Sequence, residues 1–250
     1  MKTENYNKNF SLFYDYYLTD LSSDMADHYL KYFNENKITE KRLLDLMCGP
    51  GVLINKFKNE GWQVYGLDIS RHMLDIAYKN TGLNSERLLN LNIKDINIEE
   101  KFSLITCTAD GINHIESEDT LKKIFNKVNS ILNKGGYFSF DINTILGIIN
   151  NDYYISVEEK NVFVVRNGIT DVENNIGLTK FKGFFMYEGN YRRFDSVIYN
   201  YMYKVDDIIR ILEDTGFSNV ELFNAENMQE IIRREDDGEN FERIVIIAQK

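Results

Sequence analysis

The stretch that decides the fold of this 250-residue chain is Leu43-Leu44-Asp45-Leu46-Met47-Cys48-Gly49-Pro50-Gly51. Its apolar first half is typical of a buried strand, and its glycine-containing second half leads into a helical pattern over residues 52–60. Ligands of open α/β sheets bind beyond the carboxyl ends of the strands. Glycines let the backbone approach a ligand closely, and a helix N-terminus adds partial positive charge. We therefore expect a binding loop at residues 45–51.

Short apolar runs alternate with helical patterns around this loop. Strands are predicted at residues 42–47, 63–68, 87–92, 102–108 and 136–143. Helices are predicted between them at residues 52–60, 70–80 and 118–132. Strands that alternate with helices favour right-handed βαβ units and therefore a doubly wound α/β sheet.

The remainder of the chain has a different rhythm. An aromatic segment at 6–17 and a helix at 22–36 precede the first strand, and strands at 162–165, 177–186 and 191–203 suggest an antiparallel insertion. A helix at 205–215, a strand at 219–223, a short helix at 226–234 and a strand at 243–249 follow. We divide the chain into an α/β core with its N-terminal segment (1–150), a β-rich insertion (151–203) and a C-terminal completion of the core (204–250).

The loop fits a dinucleotide poorly. That fingerprint requires a sixth-position glycine where this chain has Ile54, and Pro50 removes one N–H donor from the turn. Asp45 would place a carboxylate near the ligand, which disfavours phosphates and suits a cationic ligand with an amino group and a sulfonium. Asp68 ends the second predicted strand, where an acid can accept both ribose hydroxyls of a nucleoside.

Residues after the next strands complete a nucleoside site. Asp95 follows the third predicted strand and is a candidate acceptor for the exocyclic amine of adenine. Ile69, Met73 and Ile96 are apolar neighbours suited to sandwich the ring. The order of loop and carboxylates therefore indicates an adenosyl ligand.

In these pieces the chain resembles the class I S-adenosyl-L-methionine-dependent methyltransferases over about residues 40–143. The resemblance rests on Asp45-x-x-Cys48-Gly49-x-Gly51, Gly66-Leu67-Asp68-Ile69-Ser70, Lys94-Asp95-Ile96 and Gly135-Gly136-Tyr137-Phe138-Ser139-Phe140-Asp141. It implies a Rossmann-like, seven-stranded mixed sheet with helices on both faces and a β-rich lid. It also implies S-adenosyl-L-methionine as cofactor, held in part by Cys48, Gly49 and Gly51.

A narrower resemblance covers most of the chain. The opening Phe10-Ser11-x-Phe13-Tyr14-Asp15 and the insertion resemble small-molecule N-methyltransferases that act on amino sugars or similar amines. The resemblance implies that the N-terminal segment folds over the cofactor and brings Tyr6 and Tyr14 near it, where a cation–π contact with the sulfonium is feasible.

The candidate base is His114, which follows the fourth predicted strand at the ligand edge. A purely hydrogen-bonding role for His114 is equally compatible with the sequence. Asp110 could contact the cofactor or the amine, or cap the next segment. Cys48 is better explained as a packed residue than as a nucleophile. Arg192 and Arg193 could hold a substrate anion, although solvated edge charges explain them more simply.

Composition excludes several functions. The 39 acidic and 29 basic residues give a formal net charge of −10, which opposes nucleic acids and anionic membranes. Two cysteines are too few for a disulfide framework or an all-cysteine zinc site, and no metal is expected. With no apolar signal segment or membrane span, we expect a cytoplasmic methyltransferase with a small-molecule acceptor. O-methylation, a catalytically silent S-adenosylmethionine-binding partner or sensor, and, less plausibly, an NAD-dependent dehydrogenase remain alternatives, and the oligomeric state stays open.

Overall fold

The computed structural model describes residues 6–36, 38, 40–228, 230–233 and 236–250. The α-helices are α1 Lys8–Tyr17, α2 Asp20–Glu35, α3 Val52–Asn59, α4 Arg71–Thr81, α5 Glu118–Ile131, α6 Ile145–Asn150 and α7 Val205–Asp214. The strands are β1 Arg42–Leu46, β2 Gln63–Asp68, β3 Leu88–Asn90, β4 Phe102–Cys107, β5 Leu132–Asn143, β6 Tyr154–Glu159, β7 Val162–Asp171, β8 Ile176–Tyr187, β9 Asn190–Tyr201, β10 Ser218–Asn224, β11 Ile231–Ile232 and β12 Arg243–Gln249.

The central sheet has the order β11-β10-β12-β5-β4-β1-β2-β3. Strands β1 to β5 pair in parallel, whereas β12 runs antiparallel between β5 and β10. The predicted doubly wound, mixed α/β sheet is confirmed, with the two-residue β11 added at one edge. Because β2 and β4 lie on opposite sides of β1, the strand order reverses there, and the crevice beyond β1 and β4 is the expected ligand site.

Both faces of this sheet are covered by amphipathic helices. On α5, Leu121, Phe125 and Val128 are buried at helical spacing and pack with residues of α7 on one face. Met25 and Tyr29 of α2 pack on the other face with residues of α3 and α4. Burying each such large apolar side chain contributes on the order of 1.5–3 kcal/mol, which fixes the helices whose N-termini border the crevice.

A second sheet forms the predicted antiparallel insertion. Strands β6 to β9 make a meander, and its inner face packs on α1 through Phe10, Phe13 and Phe194. The rings of Phe13 and Phe194 are stacked with centroids 4.2 Å apart. We call this sheet the lid, because it lies beside the carboxyl edge of the central sheet. β6 and α6 were not predicted from the sequence.

The helix predicted at 226–234 is wrong within the described residues, and residues 229 and 234 of that segment lie outside them. Leu222 pairs with Ile232, and the Asn224 N–H donates to the Glu230 carbonyl at 3.1 Å. The Asn224 side chain also accepts from the Glu226 N–H at 3.0 Å, which fixes a turn. Pairing with β10 therefore overrides the helical pattern of the local sequence.

Candidate active site

The loop after β1 brings backbone N–H groups to the crevice. The Gly49 N–H donates to Asp68 Oδ2 at 3.0 Å, and φ is +53° at Gly49. Gly51 caps α3 with φ +81°, and a Cβ there would lie 2.9 Å from Thr81 Cγ2. Glycine is therefore required at position 51 because α3 and α4 pack closely, whereas Gly49 faces open space.

Asp68 ends β2 and is only 5% exposed. Its carboxylate accepts the Gly49 N–H and, at 2.7 Å, the Ser70 N–H. Burial raises the pKa of Asp68 to about 6, although both hydrogen bonds favour the charged form. Each carboxylate oxygen retains acceptor capacity, so Asp68 can also receive ligand hydroxyls.

A narrow cleft, which we call the cofactor cleft, opens beside Asp68. Its walls are Tyr6, Tyr14, Met47, Gly49, Asp68, Met73, Thr108, Ala109, Gly111 and His114. A smaller hollow continues beyond the end of β3, lined by residues that include Met47, Ile69, Leu91, Asn92 and His114. A carboxylate at one end and apolar walls further along match the hydroxyls and the flat base of an adenosyl group. The cleft has a volume of about 40 Å³, room for a few water molecules, beneath a cover from the N-terminal segment.

Two tyrosines of the N-terminal segment form that cover. The rings of Tyr6 and Tyr14 meet edge to face with centroids 6.1 Å apart. The Tyr6 carbonyl accepts from Ser70 Oγ at 3.1 Å, which ties the segment to the loop after β2. Burial raises the pKa of both phenols above the usual range, so both stay neutral at physiological pH.

A larger cavity of about 260 Å³, the acceptor cavity, lies between the sheet edge and the lid. It shares Tyr6, Tyr14, Ala109 and His114 with the cofactor cleft. His114 Nδ1 lies 2.8 Å from the Tyr199 carbonyl. Because a carbonyl can only accept, Nδ1 carries the hydrogen, and Nε2 of the neutral ring retains the lone pair.

A charged network borders the acceptor cavity. Arg243, the first residue of β12, pairs with Asp110 at 3.1 Å and with the fully buried Asp141. Asn200 of β9 donates to Asp110 Oδ2 at 2.7 Å. Burial raises the pKa of Asp141, which the guanidinium opposes. Asp110 is thus held by partners from the lid and from the sheet.

Sequence reasoning did not identify Arg243 or Asn200 as site residues. The available signals were weak: a single charge at the start of an otherwise apolar strand, and one amide in the aromatic stretch 199–203. Neither signal shows which edge of the sheet the residue reaches.

The structure brings Tyr6, Tyr14, Gly49, Asp68, Ile69, Met73, Asp110 and His114 to the walls of these spaces. Other residues predicted to bind the cofactor do not line them: Asp45, Cys48, Gly51, Asp95 and Ile96. Asp45 accepts from Thr106 Oγ1 at 2.7 Å below the loop, and burial raises its pKa to about 7. Cys48 and Ile96 pack into the core, and Asp95 is exposed.

Known proteins share this architecture. Residues 43–136 match a family model described as a methyltransferase domain. An S-adenosylmethionine-dependent methyltransferase from Clostridium acetobutylicum has a solved structure with a TM-score of 0.80 and 26% identity, covering 96% of this chain and 97% of that one. The chain is an S-adenosylmethionine-dependent methyltransferase.

Two further relatives extend the likeness of this methyltransferase beyond the core. A protein from Geobacillus sp. (strain WCH70), provisionally named a methyltransferase, is 24% identical to this chain over 218 residues. The match covers 84% of this chain and 85% of that one. The sugar N-methyltransferase KedS8 from Streptoalloteichus sp. has a solved structure with a TM-score of 0.73 and 16% identity, covering 95% of this chain and 92% of that one. The fold likeness therefore includes the lid as well as the central sheet.

Within the part of the methyltransferase that the structure describes, every helix falls short of the length and apolar character needed to cross a membrane.

Proposed function

We propose that this methyltransferase acts on a small molecule and transfers the methyl group to nitrogen. The observation that carries the proposal is an acceptor cavity of about 260 Å³ that shares His114 and two tyrosines with the cofactor cleft. The lid covers this cavity, so its size favours a small acceptor over a macromolecular surface.

The residues of the cleft suit the cofactor. When bound, S-adenosylmethionine supplies a methyl group on a positively charged sulfur. Asp68, on the wall of the cleft, would receive the sugar hydroxyls, and Ile69 and Leu91, on the wall of the adjoining hollow, would flank the base. Tyr6 and Tyr14 lie at the junction with the acceptor cavity, where neutral aromatic rings can stabilise a cation.

The chain must also hold the acceptor in line and remove one proton. Fixed orientation can supply several of the roughly 7–11 kcal/mol available to ideally aligned reactants. Four residues border both spaces. Tyr6 and Tyr14 remain neutral phenols and Ala109 carries no basic group, so His114 is the one with a basic lone pair, at Nε2. A neutral amine is already a nucleophile, so the base only has to accept a proton from nitrogen, whereas an alcohol is a weak nucleophile until it is deprotonated and would need a stronger base. This difference favours nitrogen over oxygen.

The likeness to the sugar N-methyltransferase KedS8 supports the same proposal, since it extends over the lid that closes the acceptor cavity. The alternatives, a small-molecule O-methyltransferase and a silent S-adenosylmethionine-binding protein, differ from the proposal in where, or whether, the methyl group appears.

The test is transfer from methyl-labelled cofactor into pools of amines and of alcohols or phenols, with products located by mass spectrometry. We expect label on nitrogen. Label on oxygen alone would contradict the nitrogen assignment, and tight cofactor binding with no transfer to any pool would favour the silent binder.

The role of His114 is tested by His114→Asn, whose amide can still donate to the Tyr199 carbonyl but has no basic lone pair. We expect kcat to fall about 10²–10⁴-fold while the cofactor dissociation constant changes little. His72→Asn, at an exposed position on α4, is the matched control. Unchanged kcat in His114→Asn would remove His114 as the base.

A further inference from the structure

The inner face of the lid changes character along β7. Val162 and Val164 pack into the aromatic cluster under the lid. Arg166 follows two residues later and therefore points to the same face, since side chains alternate along a strand. Instead of joining the apolar cluster, Arg166 lines the acceptor cavity. A guanidinium withdrawn from water is costly unless a partner compensates its charge.

Two neighbours hold the guanidinium of Arg166 in place. Nη2 donates to Asn151 Oδ1 at 2.8 Å, and Cζ lies 4.4 Å from the ring centroid of Tyr153. Tyr153 is itself fixed to β7, because its carbonyl accepts the Gly168 N–H at 2.9 Å. The head group is therefore oriented before any ligand arrives.

The charge of Arg166 is left unmatched. Nη1 is buried and has no hydrogen-bond partner among the described residues. The second arginine of the cavity differs, because Arg243 is paired with two carboxylates, Asp110 and Asp141. The described contacts of Arg166 are an amide oxygen and a ring, both of which lack a negative charge.

The other arginines of the lid do not compete for this role. Arg192 and Arg193, which the sequence offered as possible anion ligands, are exposed and lie outside the cavity wall. In a chain of net charge −10, an anion gains attraction only from a local cation that carboxylates do not already neutralise.

We infer that Arg166 binds an oxyanion of the methyl acceptor, a carboxylate or a phosphate group. Arginine suits either, because its N–H groups match oxyanion geometry and charge-assisted hydrogen bonds are the stronger kind. This inference rests on the proposed function and narrows it. The acceptor is an amine that also bears an anionic group, with the amine at His114 and the anion at Arg166, two residues on the wall of one cavity.

The experiment measures anion binding to the full chain without methyl transfer. Thermal unfolding is followed against inorganic phosphate, pyrophosphate, acetate and succinate, at ionic strength held constant with sodium chloride. A ligand that binds the folded state raises the midpoint with a saturable concentration dependence, which yields an apparent dissociation constant. The phosphate and carboxylate arms identify which oxyanion is preferred.

We expect Arg166→Gln to raise the apparent dissociation constant of the preferred anion by about tenfold to a hundredfold, because a charge-assisted hydrogen bond is lost. Arg166→Lys, which keeps the charge, should retain part of the affinity. Arg193→Gln, on the exposed side of the same lid, should bind as the wild type does. The apparent dissociation constant does not depend on the starting midpoint, so a less stable variant remains informative.

No saturable effect in the wild type, or equal affinity in Arg166→Gln, would overturn the inference. Such a result would leave the nitrogen proposal standing, because that proposal is tested by labelled transfer. Conversely, anion binding that depends on Arg166, together with label found on oxygen, would overturn the nitrogen assignment alone.

Discussion

Asp45→Asn should stabilise the cofactor-free protein at pH 8 and weaken the dependence of its stability on pH. Asp45 is 1% exposed and accepts one hydrogen bond, from Thr106 Oγ1. Burial raises its pKa to about 7. Asparagine retains an oxygen for the Thr106 hydroxyl and cannot ionise, so the substitution isolates the effect of the buried charge.

The sign of the effect follows from proton linkage. The unfolded carboxyl titrates near pH 3.9 and the folded one near 7, so between these values the folded state binds more protons. The stability that the wild type has below pH 4 is therefore lost as pH rises to about 7. Each pH unit inside this window costs about 1.4 kcal/mol, so from pH 5 to pH 8 the wild type should lose about 2–3 kcal/mol more than the variant.

The assay is urea unfolding of both proteins from pH 5 to 8, which gives the free energy of unfolding at each pH. Asp68→Asn is the control for the second buried carboxyl, whose pKa is raised to about 6 and which acts in the same direction. The reasoning would be refuted if wild type and Asp45→Asn gave parallel curves, that is, if both lost the same free energy of unfolding between pH 5 and pH 8.

Two further predictions concern the walls of the crevice. Asp68→Asn should raise the cofactor dissociation constant, measured by calorimetry, about tenfold or more, because a charge-assisted acceptor is lost. The affinity of the wild type for the cofactor should itself decrease below about pH 6, where Asp68 becomes protonated. Equal affinity of the two proteins at pH 7.5 would contradict the ribose role. Arg243→Gln should lower the free energy of unfolding in urea by about 3–5 kcal/mol, because Asp110 and Asp141 lose their countercharge. Arg210→Gln, at an exposed ion pair, should change this free energy little. Equal effects of the two substitutions would contradict the argument.

Sequence patterns predicted the elements that local chemistry defines. The glycine loop, the acid at the end of β2 and His114 after β4 each follow a strand, and the carboxyl ends of parallel strands meet at one edge. The parallel orientation of these strands was therefore enough to predict that Asp68 and His114 lie at the same edge, although they are distant along the chain.

The parts that sequence reasoning missed depend on register. Arg166 and Asn200 reach the cavity because the register of β7 and β9 turns these side chains to its side of the sheet. A register shift of one residue in each strand would turn both side chains to the opposite face. The sequence does not state that phase, because β7 and β9 carry polar residues on both faces. Asp95 lies outside the walls of the cofactor cleft and the acceptor cavity: a short 3₁₀ helix, Ile93–Asp95, leaves its side chain exposed while Ile96 enters the core, and its contact with adenine stays a prediction.

Backbone strain at the crevice links these observations. Met47, Ala109 and Asp110 have positive φ angles of 55°, 57° and 52°, in a region that costs non-glycine residues roughly 1–2 kcal/mol each. All three lie at the carboxyl ends of β1 and β4, and all three border the cofactor cleft or the acceptor cavity. At Asp110 the strain is offset, because Asp141 accepts its N–H at 2.9 Å and Arg243 and Asn200 bind its carboxylate.

Strain of this kind persists only where surrounding contacts enforce it, and it concentrates at functional sites. The partners of Asp110 come from β5, β9 and β12, so the lid and the neighbouring strands β5 and β12 of the central sheet must assemble before the turn that carries His114 is fixed. The pairing of Arg243 with Asp110 and Asp141 thus orders the turn, which leaves Arg166 as the cavity arginine whose charge is available to an acceptor.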